Sequence, residues 1–407
     1  MRILVLPWTG SDYDSLSGNL ELASRELMAD GFEVTRFPLD TGGCPAGLAD
    51  LLQKESFTFA LGMSGVGADL LTPEGTCLWE KTRTPFFTWH CDHPAHYPKL
   101  HRILSRYVVQ GYVFPDHAHF AGRHVSAGGQ AYHVHMGIPR RSLLKVPPLP
   151  TDKRNGRLIF AKSGGDPREI EREWRETYSP DLRDILFAAT EELSGKKIQE
   201  FDTVIGRIAQ AFGYNLAPSS DLMLMLVYLV ENYLRIRQSN LVLRSLLDFP
   251  VDVFGNGWDH IDASHARAVM HGPIPFAEMW ALLPRYAGSI SVNPLVDESV
   301  HDRVFYALAA AVAPIGDANG FCRNELPELR DYSYAMAPEA IAAAADAVLS
   351  HPGRAAMAAD DCYGNALPRY SMEQSLRQIS HFCRMQTQMK YSSLPQAQEG
   401  NGSRPAV

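Results

Sequence analysis

The chain has 407 residues, of which 38 are Lys or Arg and 46 Asp or Glu, giving a net charge of -8. That length accommodates two or three domains with their own cores. The acidic balance disfavours a general nucleic-acid binder, which is more often basic, yet leaves room for a local basic pocket holding a small anion.

Residues 2–6 read as a first buried strand rather than a signal peptide, because Trp8 and Gly10 interrupt the apolar run after only five residues. A helix over 20–30 ends at Gly31, and further strands are predicted over 33–37, 57–63 and 85–90 and around 107–114. The unit closes near Pro139. Strands alternating with helices predict a parallel, doubly wound sheet. Residues 144–156, LKVPPLPTDKRNG, are proline-rich and then charged, as a linker would be. RLIFAKSGG opens a second unit of the same kind. A helical insertion over about 167–248 follows, then strands at 251–254, SISVN and AVAPI, and helices at 338–349 and 372–385. The expected organisation is two Rossmann-like α/β domains, 1–143 and 157–365, facing across a cleft, with a terminal helix over 366–390 and a disordered tail at 391–407. The apolar run Leu222 to Val230 is too short to span a bilayer. Six cysteines with no CxxC spacing imply a reduced, cytoplasmic protein. A homodimer and peripheral membrane contact stay open.

The segment from Asn293 to Asp317, NPLVDESVHDRVFYALAAAVAPIGD, combines a strand end, a polar loop, a helix start and a second apolar strand. Ligands of open α/β sheets bind at such places. Ser299 and Val300 would offer a hydroxyl and free backbone N–H groups, with Ser299 read as the helix cap, and Arg303 a bidentate charge for phosphate. Asn293 and Tyr306 flank the same site. Lys162, Ser163 and Gly164 follow an apolar strand; small residues there let backbone approach a phosphate and the lysine adds charge. The sequence lacks the GKS or GKT of a Walker loop, and SGVG at 64–67 is too sparse for a dinucleotide fingerprint. His90, Asp92, His93 and His96 crowd together, but match no metal signature, and no metal is expected.

Three segments carry a family resemblance: VFGNGW at 253–258, FAEMWALLPRYAGSISVN at 276–293 and SVHDRVFYALAAAVAPIGD at 299–317, together with FFTWHCDHPAHY near the N-terminus. They resemble the bacterial glycosyltransferases of the two-Rossmann-domain GT-B type, and among these the CgeB-like, spore-maturation group. Ala310-Ala311 stands where that group usually has a glycine. The resemblance implies a nucleotide-sugar donor between the domains, metal-independent transfer, no tightly bound cofactor and a C-terminal helix crossing back to the first domain. The donor would be a UDP-, GDP- or dTDP-sugar. It places Gly255, Asn256, Gly257 and Trp258 near the nucleotide base. Transfer to a hydroxyl needs a base, for which His90, Asp92 and Asp12 are the candidates. The acceptor would be a protein such as flagellin or a surface glycan. Two other readings share the scaffold: a non-catalytic recruitment protein, and a sugar-nucleotide epimerase.

Overall fold

The computed structural model describes residues 1–388 apart from 9, 11, 41–44, 104, 126–130 and 196–199; the expected tail at 391–407 lies outside the described residues. The first of two six-stranded sheets contains β1 (Arg2–Val5), β2 (Glu33–Arg36), β3 (Phe59–Met63), β4 (Phe86–His90), β5 (Val108–Tyr112) and β6 (Tyr132–His133), in the order β2-β1-β3-β4-β5-β6. The second contains β7 (Leu158–Ala161), β8 (Val251–Phe254), β9 (Val269–His271), β10 (Gly288–Ile290), β11 (Ala313–Asp317) and β12 (Ser333–Tyr334), in the order β12-β11-β10-β7-β8-β9. Neighbouring strands pair in parallel throughout. Every residue of β3, β4 and β5 is buried. Helices cover both faces of such a sheet, so its central strands are apolar on both sides.

The predicted runs of the first half become β1 to β5. The AVAPI run starts its strand two residues late, at Ala313, because Ala311 occupies the left-handed region at φ 55°. That residue turns the chain out of the preceding helix, Asp302–Ala309. The three residues of β9 and two of β12 are too short to show a strand pattern. The helix Pro352–Tyr370 was not expected either. Pro352 separates it from the helix Pro338–Ser350: proline disfavours helical backbone at His351 before it, yet suits the first turn of the next helix.

The insertion contributes helices Pro167–Thr177, Pro180–Leu193, Phe201–Ala211 and Asp221–Ser245. It leaves the chain after β7 of the second sheet but reaches the loops of the first. His96 Nε2 lies 2.8 Å from Glu231 Oε2, and His124 contacts both Pro218 O at 2.9 Å and Asp202 Oδ2 at 2.8 Å. Arg102 Nη1 donates to Asp221 Oδ1 at 3.1 Å. The last described helix, Met372–Gln388, also joins the first sheet. Met372 N donates to Ile138 O at 2.9 Å, and Phe382 stacks on Tyr132 with ring centroids 4.3 Å apart.

Candidate functional site

The order of the second sheet reverses at β7. The chain runs outward from β7 through β8 to β9, then returns to place β10 on the other side of β7. The ends of β7 and β10 therefore diverge into a crevice, the usual ligand position in an open α/β sheet. A cavity of about 330 Å³ lies there. Lys162, Phe254, Gly255, His301, Asp302 and Arg303 line it from the second unit, and Tyr13, Asn19, Cys91 and Asp92 from the first.

The helix Asp302–Ala309 aims Arg303 into this crevice. Its cap is His301, whose Nδ1 accepts from Arg303 N at 3.3 Å. The cap is itself fixed by Asn293, whose Oδ1 accepts from His301 N at 2.8 Å, while Asn293 N donates to Asp317 Oδ1 at 3.2 Å. The helix thus begins later than a cap at Ser299 would have it. Arg303 Nη1 donates to Ala161 O at the end of β7, at 3.3 Å. Its Nε and Nη2 are buried and have no partner among the described residues.

Burial pushes the Arg303 guanidinium below its ordinary pKa, and Asp302 beside it opposes the shift. Lys162 is pushed well down too, by burial first and then by the like charges of Arg235 and Arg303. Cations that are desolvated and repel each other favour an anion between them. The Asp302 carboxyl is raised by burial, but His301 and Arg303 outweigh this and bring it to about 2. Cys91 is held as a thiol, because burial pushes its pKa well up.

Two loops interlock beneath the cations. Lys162 N donates to Phe254 O at 2.9 Å and Gly164 N to Asn256 O at 2.8 Å. Trp258 Nε1 donates to Lys162 O at 2.9 Å. A Cβ on Gly164 would lie 2.4 Å from the Trp258 ring, and one on Gly255, at φ 146°, 2.4 Å from Lys162 O. Small residues are needed here because backbone and indole fill the space. Trp258 is buried as a prop under the Lys162 loop, in the core of the second unit, and is not among the residues lining the cavity. Asn256 is exposed beside it and contributes its carbonyl to the loop, and Gly257 has φ 82°. The apolar wall comes instead from Phe254, Pro273, Ile274, Phe276 and Met279, with Phe254 stacked on His271 at 4.5 Å.

The remaining predicted residues separate into those near the cavity and those drawn elsewhere. Ser163 lines it and bonds across the cleft to Tyr13, with 3.0 Å between the hydroxyl oxygens. Asp92 also lines it. Ser299 is fully buried with its hydroxyl 3.1 Å from His135 Nδ1, and Val300 sits in the core. Tyr306 is buried at the junction of the two units, donating to Asn19 and packing on Trp280 at 4.6 Å. His90 faces into the first sheet, 2.6 Å from Gln110 Oε1 and packed on His101, and does not line the cavity. Burial lowers its pKa to about 4, against the opposing bond to Gln110. Asp12 lies in the short turn Asp12–Asp14 next to Tyr13. His301, Asp302, Tyr13, Cys91 and Phe254 line the cavity although the sequence reading gave them no role. The first two adjoin Arg303 in the segment already singled out, so a signal for them was present. Among the described residues, no group of three or more His, Cys, Asp or Glu is arranged to hold a metal ion, and no helix is long and apolar enough to cross a membrane.

No curated protein matches the chain. An alpha-glucosyltransferase in complex with UDP and a 13-mer DNA containing a central A:G mismatch is similar in structure. It is 8% identical, with 94% of this chain and 100% of that one covered and a TM-score of 0.50. The alpha-glucosyltransferase in complex with UDP and a 13-mer DNA containing a HMU base is 9% identical, with 94% and 99% covered and a TM-score of 0.50. A sucrose-phosphate synthase from Thermosynechococcus elongatus is 12% identical, with 95% and 98% covered and a TM-score of 0.47. Residues 237–381 match the family model described as glycosyl transferase-like. The chain therefore has the two-domain GT-B fold, and the part that matches a glycosyl transferase-like family includes the helix that carries Arg303.

Proposed function

We propose that the chain transfers a sugar from a nucleotide-sugar donor to an acceptor hydroxyl. One observation carries this reading: the Arg303 guanidinium has two buried, unpartnered nitrogens beside Lys162 at the switch point of the second sheet. A nucleoside diphosphate gains negative charge as the glycosidic bond breaks. Donors and cations fixed in advance at that position stabilise it without reorganising. Arg303 holds two diphosphate oxygens, Lys162 adds a point charge, and the Gly164 and Gly255 turns let the ligand approach backbone. Phe254, Pro273 and Ile274 form the apolar wall for the base. The UDP bound in the similar alpha-glucosyltransferases agrees with a UDP-sugar donor, with GDP- and dTDP-sugars as the alternatives.

Asp92 reaches the same cavity from the first unit. It is the general base that takes the acceptor proton as the sugar bond breaks. A carboxylate placed opposite the cations favours transfer over binding alone. The protein's own cations suffice for the leaving group, so transfer is metal-independent. The acceptor, a polypeptide or a surface glycan, enters from the first-unit side of the cleft, as in a CgeB-like enzyme.

Calorimetric titration with UDP-, GDP-, dTDP- and CMP-sugars, run alongside Arg303→Ala, tests this. Micromolar binding of one donor, lost in the variant, is expected. A folded protein that binds none of them would refute the reading.

A further inference from the structure

The long insertion helix Asp221–Ser245 buries one carboxylate completely, that of Glu231. Its Oε2 lies 2.8 Å from His96 Nε2 and its Oε1 3.5 Å from Arg235 Nη1. Burial raises the Glu231 carboxyl, but Arg235 and His96 outweigh this and bring it to about 2, so Arg235 is neutralised locally by an anion. His96 belongs to the same loop as Asp92, in the first unit. The residues after Arg235 hold the Lys162 loop of the second. Asn240 Nδ2 donates to Gly165 O at 2.8 Å, and Ile236 packs so close that a Cβ on Gly165 would lie 3.3 Å from its Cδ1. Arg235 does not line the cavity, but it stands directly before Ile236, which packs on the Lys162 loop, and its charge acts on both Lys162 and Arg303. The helix that supplies it begins ahead of the segment matching the glycosyl transferase-like model, which starts at residue 237.

We infer that Glu231 is a positioning residue that sets how much positive charge the cleft presents to its anionic ligand, by holding Arg235 in a pair anchored through His96 to the Asp92 loop. This rests on the reading of the cleft as a diphosphate site. With the pair intact, Lys162 and Arg303 grip a diphosphate strongly enough to stabilise its departure, and the third charge does not retain it afterwards. The insertion then serves turnover as well as architecture.

Inorganic pyrophosphate, titrated by calorimetry into the full chain at two salt concentrations, reads the charge directly. Glu231→Gln frees the Arg235 charge and is expected to tighten pyrophosphate about five- to tenfold, with a steeper salt dependence. Arg235→Met is expected to weaken it by a similar factor, and the double variant to return within about twofold of wild type, because the two charges cancel. A purely structural Glu231 would only weaken binding when replaced, so unchanged or weaker binding in a folded Glu231→Gln protein overturns the inference. Should that single variant not fold, Arg235→Met decides the matter, since unchanged binding there overturns the inference, and the double variant, which removes both charges together, checks the cancellation. A tenfold loss in it would make Arg235 a direct ligand contact and overturn the inference equally. Pyrophosphate binding that depends on Arg303 but not on Glu231 leaves the diphosphate reading standing and sinks only this one. No pyrophosphate binding by the wild type overturns both.

Discussion

Replacing Arg303 by methionine should stabilise the empty protein while abolishing its affinity for a diphosphate. The two unpartnered nitrogens, Nε and Nη2, are buried in the ligand-free site. Each such group costs about 1–3 kcal/mol. Methionine keeps much of the apolar volume and removes both. Against that gain stand the loss of the 3.3 Å bond from Nη1 to Ala161 O and of one neighbour that stabilises the Asp302 carboxylate. The bond is worth about 1 kcal/mol, and the weaker stabilisation of the buried Asp302 carboxylate takes the gain to the low end of its range. A net gain of about 1–2 kcal/mol remains, a melting temperature higher by roughly 3 °C in a domain of this size. Binding moves the other way. Two charge-assisted hydrogen bonds to phosphate oxygens contribute about 1.5–3 kcal/mol each, so UDP affinity should fall by two orders of magnitude or more. The assay is thermal unfolding of both proteins with and without 1 mM UDP, chosen as roughly 100 times a micromolar-range Kd. Wild type should melt lower when empty and rise with UDP; the variant should melt higher and not respond. A variant less stable than wild type without ligand, or one that keeps its UDP response, would refute the argument that Arg303 is held unsatisfied for an anion.

Ala311 occupies left-handed backbone at φ 55°, where a side chain is disfavoured, so Ala311→Gly should raise stability by about 1 kcal/mol in urea unfolding; a loss would mean the Ala311 methyl contributes more packing than its conformation costs. Gly255→Ala should cost about 2–4 kcal/mol and lower UDP affinity together, since the added carbon would sit 2.4 Å from Lys162 O and must displace the phosphate loop; normal stability with normal binding would show that the loop yields freely. Acid should also destabilise the fold earlier than carboxylates alone would require. Burial holds His90, His135 and His301 at about 4 and His133 at about 3, below the ordinary 6.5. A histidine lowered in the folded state takes up its proton preferentially on unfolding. Its contribution is therefore complete above pH 6.5 and is lost as pH falls from there toward the folded value, at up to about 1.4 kcal/mol per pH unit for each group. Urea midpoints at pH 7, 6 and 5 should drop steadily, and a flat profile over that range would contradict neutral burial of these rings.

Much of the architecture was legible because it is written in local period. Continuous apolar runs such as FALGM and FFTWH need burial on both faces, and their alternation with helices leaves few arrangements other than parallel sheets. The Asn293–Asp317 segment pointed to the candidate site for the same reason: strand end, helix start and arginine are neighbours in sequence. What was less legible was facing and partnership. His90 ends a strand that points it into the sheet, where Gln110, from the next strand, takes its Nε2. Ser299 looks like a helix cap until His135, 164 residues earlier in the chain, meets its hydroxyl and His301 takes the cap. Trp258 has the composition of a stacking residue, yet the indole N–H is spent on Lys162 O and the ring fills the space left by Gly164.

By itself, then, the sequence determined the two α/β units, the helical insertion and the position of Arg303 near a strand end. Periodicity, glycine and proline act over a few residues, and their energies do not depend on the rest of the chain. Tertiary structure alone decided that Asp92 lines the same cavity as Lys162 and Arg303 and that the insertion bridges both units through a Glu231–His96 pair separated by 135 residues. Such contacts depend on sheet order and on which face each side chain is given. A buried charge finds its partner only once both elements have packed, and no local pattern encodes that meeting.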